Sequence, residues 1–481
     1  MGSRSYADLA AENARLAELA AAQAEVIEVL RSQVAELERR LGQNSGNSGK
    51  PSSRDPAVER QRQAQARAAR QGGGKRRRGK QKGAKGAGPQ MQPDPDVIVD
   101  HRPESCDGCG NTLEGGSGDD GFVARQVIEI PEVTPTVTEH RAYSCRCGCG
   151  HVTRGLFPAG VRAPVSYGPR TKAVVAYLLG RQYLPGRRVG EAMADLFGLE
   201  ISTGTIDSIY SDASRRLGGF IAALVVLLRS LPVLHADETT DRVGTVTVWM
   251  HVVSTASFTL IHASATRGMQ AIRDAGVLIG YRGVIIHDRL ALYWKLKTAK
   301  HGICGAQLLR DLAEVALVAT QTAWAAGLAA LLVEINHACD DARARGHRSL
   351  APSLQRGFAA RYDSLVAAGL AVNPDPAAGL KRDYHQRRSH NLATAFATHR
   401  RSILRYMYDL AVPLTNNQGE RDLRPTKLHR KISGCFRSPH GAERFAHLRS
   451  YLSTTRKHGI PAITALIDLF EGNPWMPPQS T

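Results

Sequence analysis

Leu231-Pro232-Val233-Leu234-His235-Ala236-Asp237-Glu238-Thr239-Thr240-Asp241 marks the point where the chain passes from helical to strand texture. Residues 232–236 read as a short buried strand, and 245–254 and 258–263 follow as two more, joined by tight turns. A helix over 268–276 then leads to a fourth strand, Gly283-Val284-Ile285-Ile286-His287. Each of two apolar runs ends on an acid, Asp237 and Asp288. Glu238 points to the opposite face of an extended segment from Asp237, which makes it the weaker candidate ligand, and Asp241 reads as a turn residue.

A third acid stands far downstream, in Asn416-Asn417-Gln418-Gly419-Glu420-Arg421-Asp422-Leu423-Arg424-Pro425. The intervening 130 or so residues are mostly helical by pattern (307–336, 354–368 and 392–410). Three meandering strands, a helix and a fourth strand open an RNase H-like α/β core, and such a core needs far fewer residues before its last acid. A helical insertion therefore splits it. Asp237, Asp288 and Glu420 can converge on hard divalent cations, Mg²⁺ or Mn²⁺, which take oxygen ligands. Two such ions about 4 Å apart stabilise the attacking and leaving oxygens of a phosphodiester displacement. Asp422 lies about 200° round a helix from Glu420 and cannot face the same metal; Arg421 or Arg424 is its expected partner. Arg421, Arg424, Lys427, Arg430 and Lys431 continue along the helix as candidate phosphate contacts.

The N-terminal part is organised differently. Residues 1–41 carry a heptad, with Leu9, Leu16, Gln23, Leu30 and Leu37 at one core position and Ile27 and Val34 at the other. That pattern favours a two-stranded parallel coiled coil and a dimer. Residues 42–95 read as a disordered basic linker: eleven cations lie between Arg60 and Lys85, Arg76, Arg77 and Arg78 among them, amid repeated glycines. In residues 96–158, Cys106-Asp-Gly-Cys109 and Cys145-Arg-Cys147-Gly-Cys149 flank a β-rich stretch, 123–137. Cys106, Cys109, Cys147 and Cys149 suit one structural Zn²⁺, with Cys145 as the alternative ligand. Residues 159–230 form helices separated by Leu184-Pro185-Gly186 and Gly198-Leu199, a helix-turn-helix layout.

At 481 residues the chain exceeds one ordinary core, so the expected architecture is multidomain α+β. A net charge of +19 suits a polyanion. Apolar runs are too short for a spanning helix and the N-terminus is no secretory signal, so a cytoplasmic, nucleoid-associated protein without membrane contact is expected.

Ordered motifs then carry a resemblance. They are GQNSGNSGKPSS (42–53), the CxxCG and CGCGH pair, YGPRTKA (167–173), QYLP, STGT, HADET (235–239), HDRLALY (287–293), CGAQLLRDL (304–312) and NNQGERDLRPTKLHRKISGCFRS (416–438). The chain resembles transposases of the insertion-sequence 66 family of bacterial mobile elements. The resemblance implies a leucine-zipper N-terminus, a zinc-binding module, an RNase H-like DDE domain over 231–440 with a helical insertion near 305–410, and a helical region over 441–481. It implies catalytic roles for Asp237, Asp288 and Glu420, cleavage that leaves a 3′-OH, and attack of that 3′-OH on target DNA. Two small accessory proteins of the same element are implied partners. Gln307 departs from the family, where histidine is usual. The alternative is a domesticated, catalytically silent DNA-binding regulator on the same fold.

Overall fold

The computed structural model describes residues 91–113, 121–158, 160–375 and 384–478, and Gln23 alone. The heptads and the basic linker, with Arg76, Arg77 and Arg78, lie outside the described residues. The chain divides into two compact units, Met1–Thr134 and Pro135–Thr481.

In the first unit a tight turn surrounds Cys106, whose N–H donates to the Asn111 carbonyl at 2.9 Å while Gly110 N–H returns to Cys106 at 2.8 Å. A single bridge, Ser105 to Thr112, closes it. The β structure expected over 123–137 is absent. Val123, Val127, Ile128, Ile130 and Val137 stand exposed, and among the described residues no strand pairs with them. Alternation of apolar side chains supplies a face but no hydrogen-bonding partner.

The second unit opens with a hairpin, β1 (Ser144–Arg146) against β2 (Val152–Arg154). Four helices follow: α1 (Pro169–Gly180), α2 (Gly186–Phe197), α3 (Thr203–Arg216) and α4 (Gly218–Ser230). Gly198, at φ 63°, ends α2 in the left-handed region, and the Ser202 side chain caps α3 by accepting from Thr205 N–H.

A five-stranded mixed sheet comes next, in the order β5-β4-β3-β6-β7. Its strands are β3 (Val233–Val243), β4 (Val246–Ser254), β5 (Thr259–Ser264), β6 (Val284–His287) and β7 (Lys300–Ile303), with α5 (Met269–Ala275) between β5 and β6. The first three strands are antiparallel; β6 and β7 run parallel to β3. β3 continues seven residues beyond the strand expected from sequence. Asp237 lies inside it rather than at its end, and Asp241 is a fully buried strand residue rather than a turn. The antiparallel partner explains the extension, because β4 pairs with β3 as far as Val243↔Val246.

After β7 the chain is helical, through α6 (Gly305–Val315), α7 (Thr322–Ala344), α8 (Pro352–Ala371), α9 (Tyr384–Thr398), α10 (Arg400–Ile403) and α11 (Arg405–Tyr408), the segment expected to be an insertion. Its core of Trp324, Leu328, Leu332, Tyr362 and Phe396 is continuous with Val284, Ile286 and Ile303 of the sheet. Insertion and sheet thus share one apolar layer. The opposite sheet face, with Leu234, Ala236 and Ile285, packs on α1–α4.

Three further helices end the unit: α12 (Asn417–Ser433), α13 (Pro439–Lys457) and α14 (Ala462–Glu471). α13 covers the edge strand. Thr454 Oγ1 accepts from Thr259 N–H at 3.1 Å and Ser450 Oγ from Ile261 N–H at 2.8 Å, so the free edge of β5 finds side-chain partners.

Candidate active site

Parallel pairing of β3 with β6 fixes the first two acids. His235 is level with Ile286; Asp237 lies two residues further along β3, and Asp288 is the residue directly after the end of β6. Asp237 Oδ1 accepts from Glu238 N–H and Asp288 Oδ1 from Leu290 N–H, both at 2.9 Å. Burial pushes Asp237 up to about 7, reinforced by the charges of Glu238, Asp288 and Glu420. Burial also raises Asp288, with Glu238 adding to the effect. Asp237 thus lies within electrostatic reach of both Asp288 and Glu420.

Glu420 stands in the first turn of α12, about half exposed, with Arg310 at 3.9 Å. Its place depends on Asn416, which the sequence reading did not single out. Asn416 is buried, donates from Nδ2 to the Ala236 carbonyl at 2.8 Å, and meets His235 Nδ1 through Oδ1 at 2.9 Å. Its own N–H reaches Cys304 Sγ at 3.2 Å. Asn416 therefore ties the start of α12 to β3 directly before Asp237 through its side chain, and to the start of α6 through its backbone N–H. Gly305 permits that close approach, since a Cβ there would lie 2.4 Å from the Leu414 side chain and 3.0 Å from its carbonyl oxygen.

Glu238 faces the other side of β3, as expected, and is almost fully buried. Arg267 donates to its Oε1 at 2.7 and 3.1 Å, and the buried Tyr293 hydroxyl donates to Oε2 at 2.6 Å. It is a support beneath the aspartates, occupied by its own partners. Under Asp288, His287 is held neutral by burial, pushed down to about 3, and contacts His301 at 3.0 Å.

Asp422 differs from expectation. It turns inward and pairs with Lys457 of α13 at 2.8 Å while accepting from Gln418 at 2.8 Å; Arg421 instead donates to Gln418. Arg421, Arg424, Lys427 and Lys431 lie exposed along the outer face of α12, and Arg430 is half-buried. Gln307 lines a cleft beside Asp288.

Among the described residues no three His, Cys, Asp or Glu side chains converge tightly enough, as they stand, to hold a metal ion. The donor chemistry at Asp237, Asp288 and Glu420 nevertheless suits a hard cation. All three supply carboxylate oxygens, and Asp237, raised mainly by burial, is raised further by the charges of Asp288 and Glu420. In each cysteine segment two thiols lie close together. Cys106 is lowered first by the Gly108 N–H and then by the N–H and side chain of Cys109, and Cys147 by the N–H and side chain of Cys149. Cys145 lies instead in β1, opposite Thr153.

Residues 164–444, more than half of the chain, match the model of the transposase IS66 family. The chain belongs to that family. Residues 3–90 match a family of unknown function, DUF6444. No curated protein matches the chain. All three candidate acids and Asn416 of this transposase fall within the matched segment. Among the described residues no helix is long and apolar enough to cross a membrane.

Proposed function

We propose that this transposase binds the ends of its own element and performs cleavage and strand transfer through Asp237, Asp288 and Glu420. The observation that carries the reading is that Asp237 on β3 and Asp288 just after β6 follow neighbouring parallel strands, with Asn416 tying the start of the Glu420 helix to β3 beside Asp237. The strand order supports an RNase H-like core. The two aspartates and Glu420 would hold two Mg²⁺ or Mn²⁺ ions, which when bound neutralise charge on the reacting phosphate. The protein's own part is positioning: Asn416 aims Glu420, and the Glu238–Arg267–Tyr293 network fixes the strand that carries Asp237. The presence of all three acids, two of them at neighbouring strands, favours this over a silent DNA-binding regulator.

DNA affinity is assigned to Arg421, Arg424, Lys427, Arg430 and Lys431 on α12, assisted by the basic segment with Arg76, Arg77 and Arg78. The α2–α3 helix-turn-helix is the second DNA contact in this reading, though exposed Thr203, Gly204, Asp207 and Ser208 at the start of α3 supply no cation. Residues 1–41 would dimerise the chain so that two sites engage two element ends.

The acid cluster yields a stability test. The folded-state value of Asp237 is raised above its ordinary 3.8 to about 7, so the folded chain holds the proton more tightly than the unfolded one. Stability from this group is present below about pH 4 and is lost as pH rises towards 7. Divalent cation reverses that loss. Mg²⁺ or Mn²⁺ should raise the thermal midpoint by a few degrees at pH 8 and hardly at pH 5. Asp237→Asn should raise the metal-free midpoint at pH 8 and remove the cation effect. An equal cation shift at both pH values would count against a shared carboxylate site.

Zinc is the second metal proposed, with Cys106, Cys109, Cys147 and Cys149 as ligands. Support comes from the spacing of the two thiol pairs and from Cys106 and Cys147, whose thiols are lowered by neighbouring backbone N–H groups and by the nearby cysteine. Purified reduced protein should carry about one zinc per chain, and Cys106→Ser should lose it. Elemental analysis without zinc in the wild type would remove the assignment.

A further inference from the structure

A cleft of about 450 Å³ opens beside Asp288, lined by Arg289, Leu290, Gln307, Ala395 and His399. A second, of about 340 Å³, shares Arg289 as a wall and is also lined by Asp311, Arg388 and Asn391. One side of this groove comes from the segment after β6 and from α6, the first helix of the insertion; the other comes from α9 and the residue that follows it, His399. Its chemistry is that of an anion site. Arg289 is anchored by Asp311, yet its Nε is buried without a hydrogen-bond partner. A buried donor left unfilled is costly, and a phosphate oxygen would satisfy it. Gln307 lies in the first turn of α6, a helix that starts without a side-chain cap or an acid in that turn, so its positive end adds to the attraction. The ring of His399 is stacked on Trp294 at 4.0 Å and 10°, which fixes an aromatic plane at the cleft wall.

We propose that the helical insertion completes the DNA site: the groove between Asp288 and α9 holds an unpaired nucleotide strand next to the scissile bond. A backbone phosphate sits on Arg289, and a base lies against His399. The assignment rests on the transposase reading and extends it to a residue set, Arg289, Gln307 and His399, that distinguishes single-stranded from duplex DNA. An unpaired base exposes a face for stacking that a base within a duplex does not. The open, polar groove also suits a polymer strand passing through it better than a small apolar ligand.

The test uses the full chain with the photo-cross-linker p-benzoylphenylalanine in place of Ala395 or, separately, of Lys427 on α12. The probes are a labelled duplex with a single-stranded 3′ overhang and a blunt duplex of the same sequence, in Ca²⁺. Position 395 should cross-link the overhang about ten-fold more than the blunt probe, whereas position 427 should cross-link both. Arg289→Ala should lower the yield at 395 about ten-fold and leave that at 427 unchanged; Arg289→Lys, which keeps charge but loses the fork, should fall between. Cross-linking at 427 without cross-linking at 395, or equal yields at 395 from both probes, overturns the groove while leaving the transposase reading intact. Failure at both positions overturns the two together.

Discussion

Asp237→Asn, Asp288→Asn and Glu420→Gln should each lower metal-dependent strand cleavage on the element's own ends by at least about a thousand-fold. Each substitution keeps shape and removes one anionic oxygen, and a neutral amide holds a hard cation far more weakly. DNA binding should persist, because the cations of α12 and the basic segment are untouched, and less repulsion from the acid cluster should tighten it. Asn416→Ala belongs with this group. It removes the bonds to His235 and Ala236 that aim Glu420 and should reduce cleavage about ten- to a hundred-fold without removing a charge. Measurement is of single-turnover cleavage on labelled ends, with binding followed in parallel. Normal cleavage by Glu420→Gln alongside loss in Asp422→Asn would put the third acid two residues away. Equal and metal-independent behaviour of all variants and wild type would favour the silent regulator.

Lys457→Met should be the most damaging substitution for stability, at about 3 kcal/mol, because it strands Asp422 as a buried, uncompensated carboxylate. Lys457 also donates to the Thr255 and Phe258 carbonyls and to Thr259 Oγ1, at 2.7, 3.1 and 2.7 Å, so it holds the β4–β5 turn as well. Removing both charges in Asp422→Asn with Lys457→Met should recover part of the loss, since no lone ion then remains. Thermal unfolding midpoints of the two single variants and the double variant give the comparison. A single variant within about 0.5 kcal/mol of wild type would mean that the pair is solvated and without structural weight.

Asp237 and Asp288 stood out in the sequence because each follows a short apolar run, Val233–Ala236 and Val284–His287. β6 matches its sequence pattern closely, for Val284, Ile285, Ile286 and His287 are all buried. The extension of β3 was not legible. Glu238, Thr239, Thr240 and Asp241 look like a loop, and only the partner β4 and the covering α12 turn them into strand. Long-range polar contacts were hidden for the same reason. Asn416 meets residues about 180 positions away, and Lys457 meets an acid 35 positions away, so no local spacing announces either. The Ser450 and Thr454 hydroxyls read as an ordinary polar helix face until β5 presents its N–H groups to them. The stretch 123–137 erred the other way, because strand-like alternation was present and a pairing partner was not.

If Asp237, Asp288 and Glu420 surround the same metal ions, as proposed, Fe²⁺ reports on it directly. Fe²⁺ in place of Mg²⁺, with ascorbate and peroxide, generates hydroxyl radicals that cut the polypeptide backbone near the bound ion. Mapping the fragments of full-length protein should reveal three cuts, close to residues 237, 288 and 420, all suppressed together by excess Mg²⁺ and all lost in Asp237→Asn. Cuts confined to one of the three segments, or cuts that survive Asp237→Asn, would contradict the account.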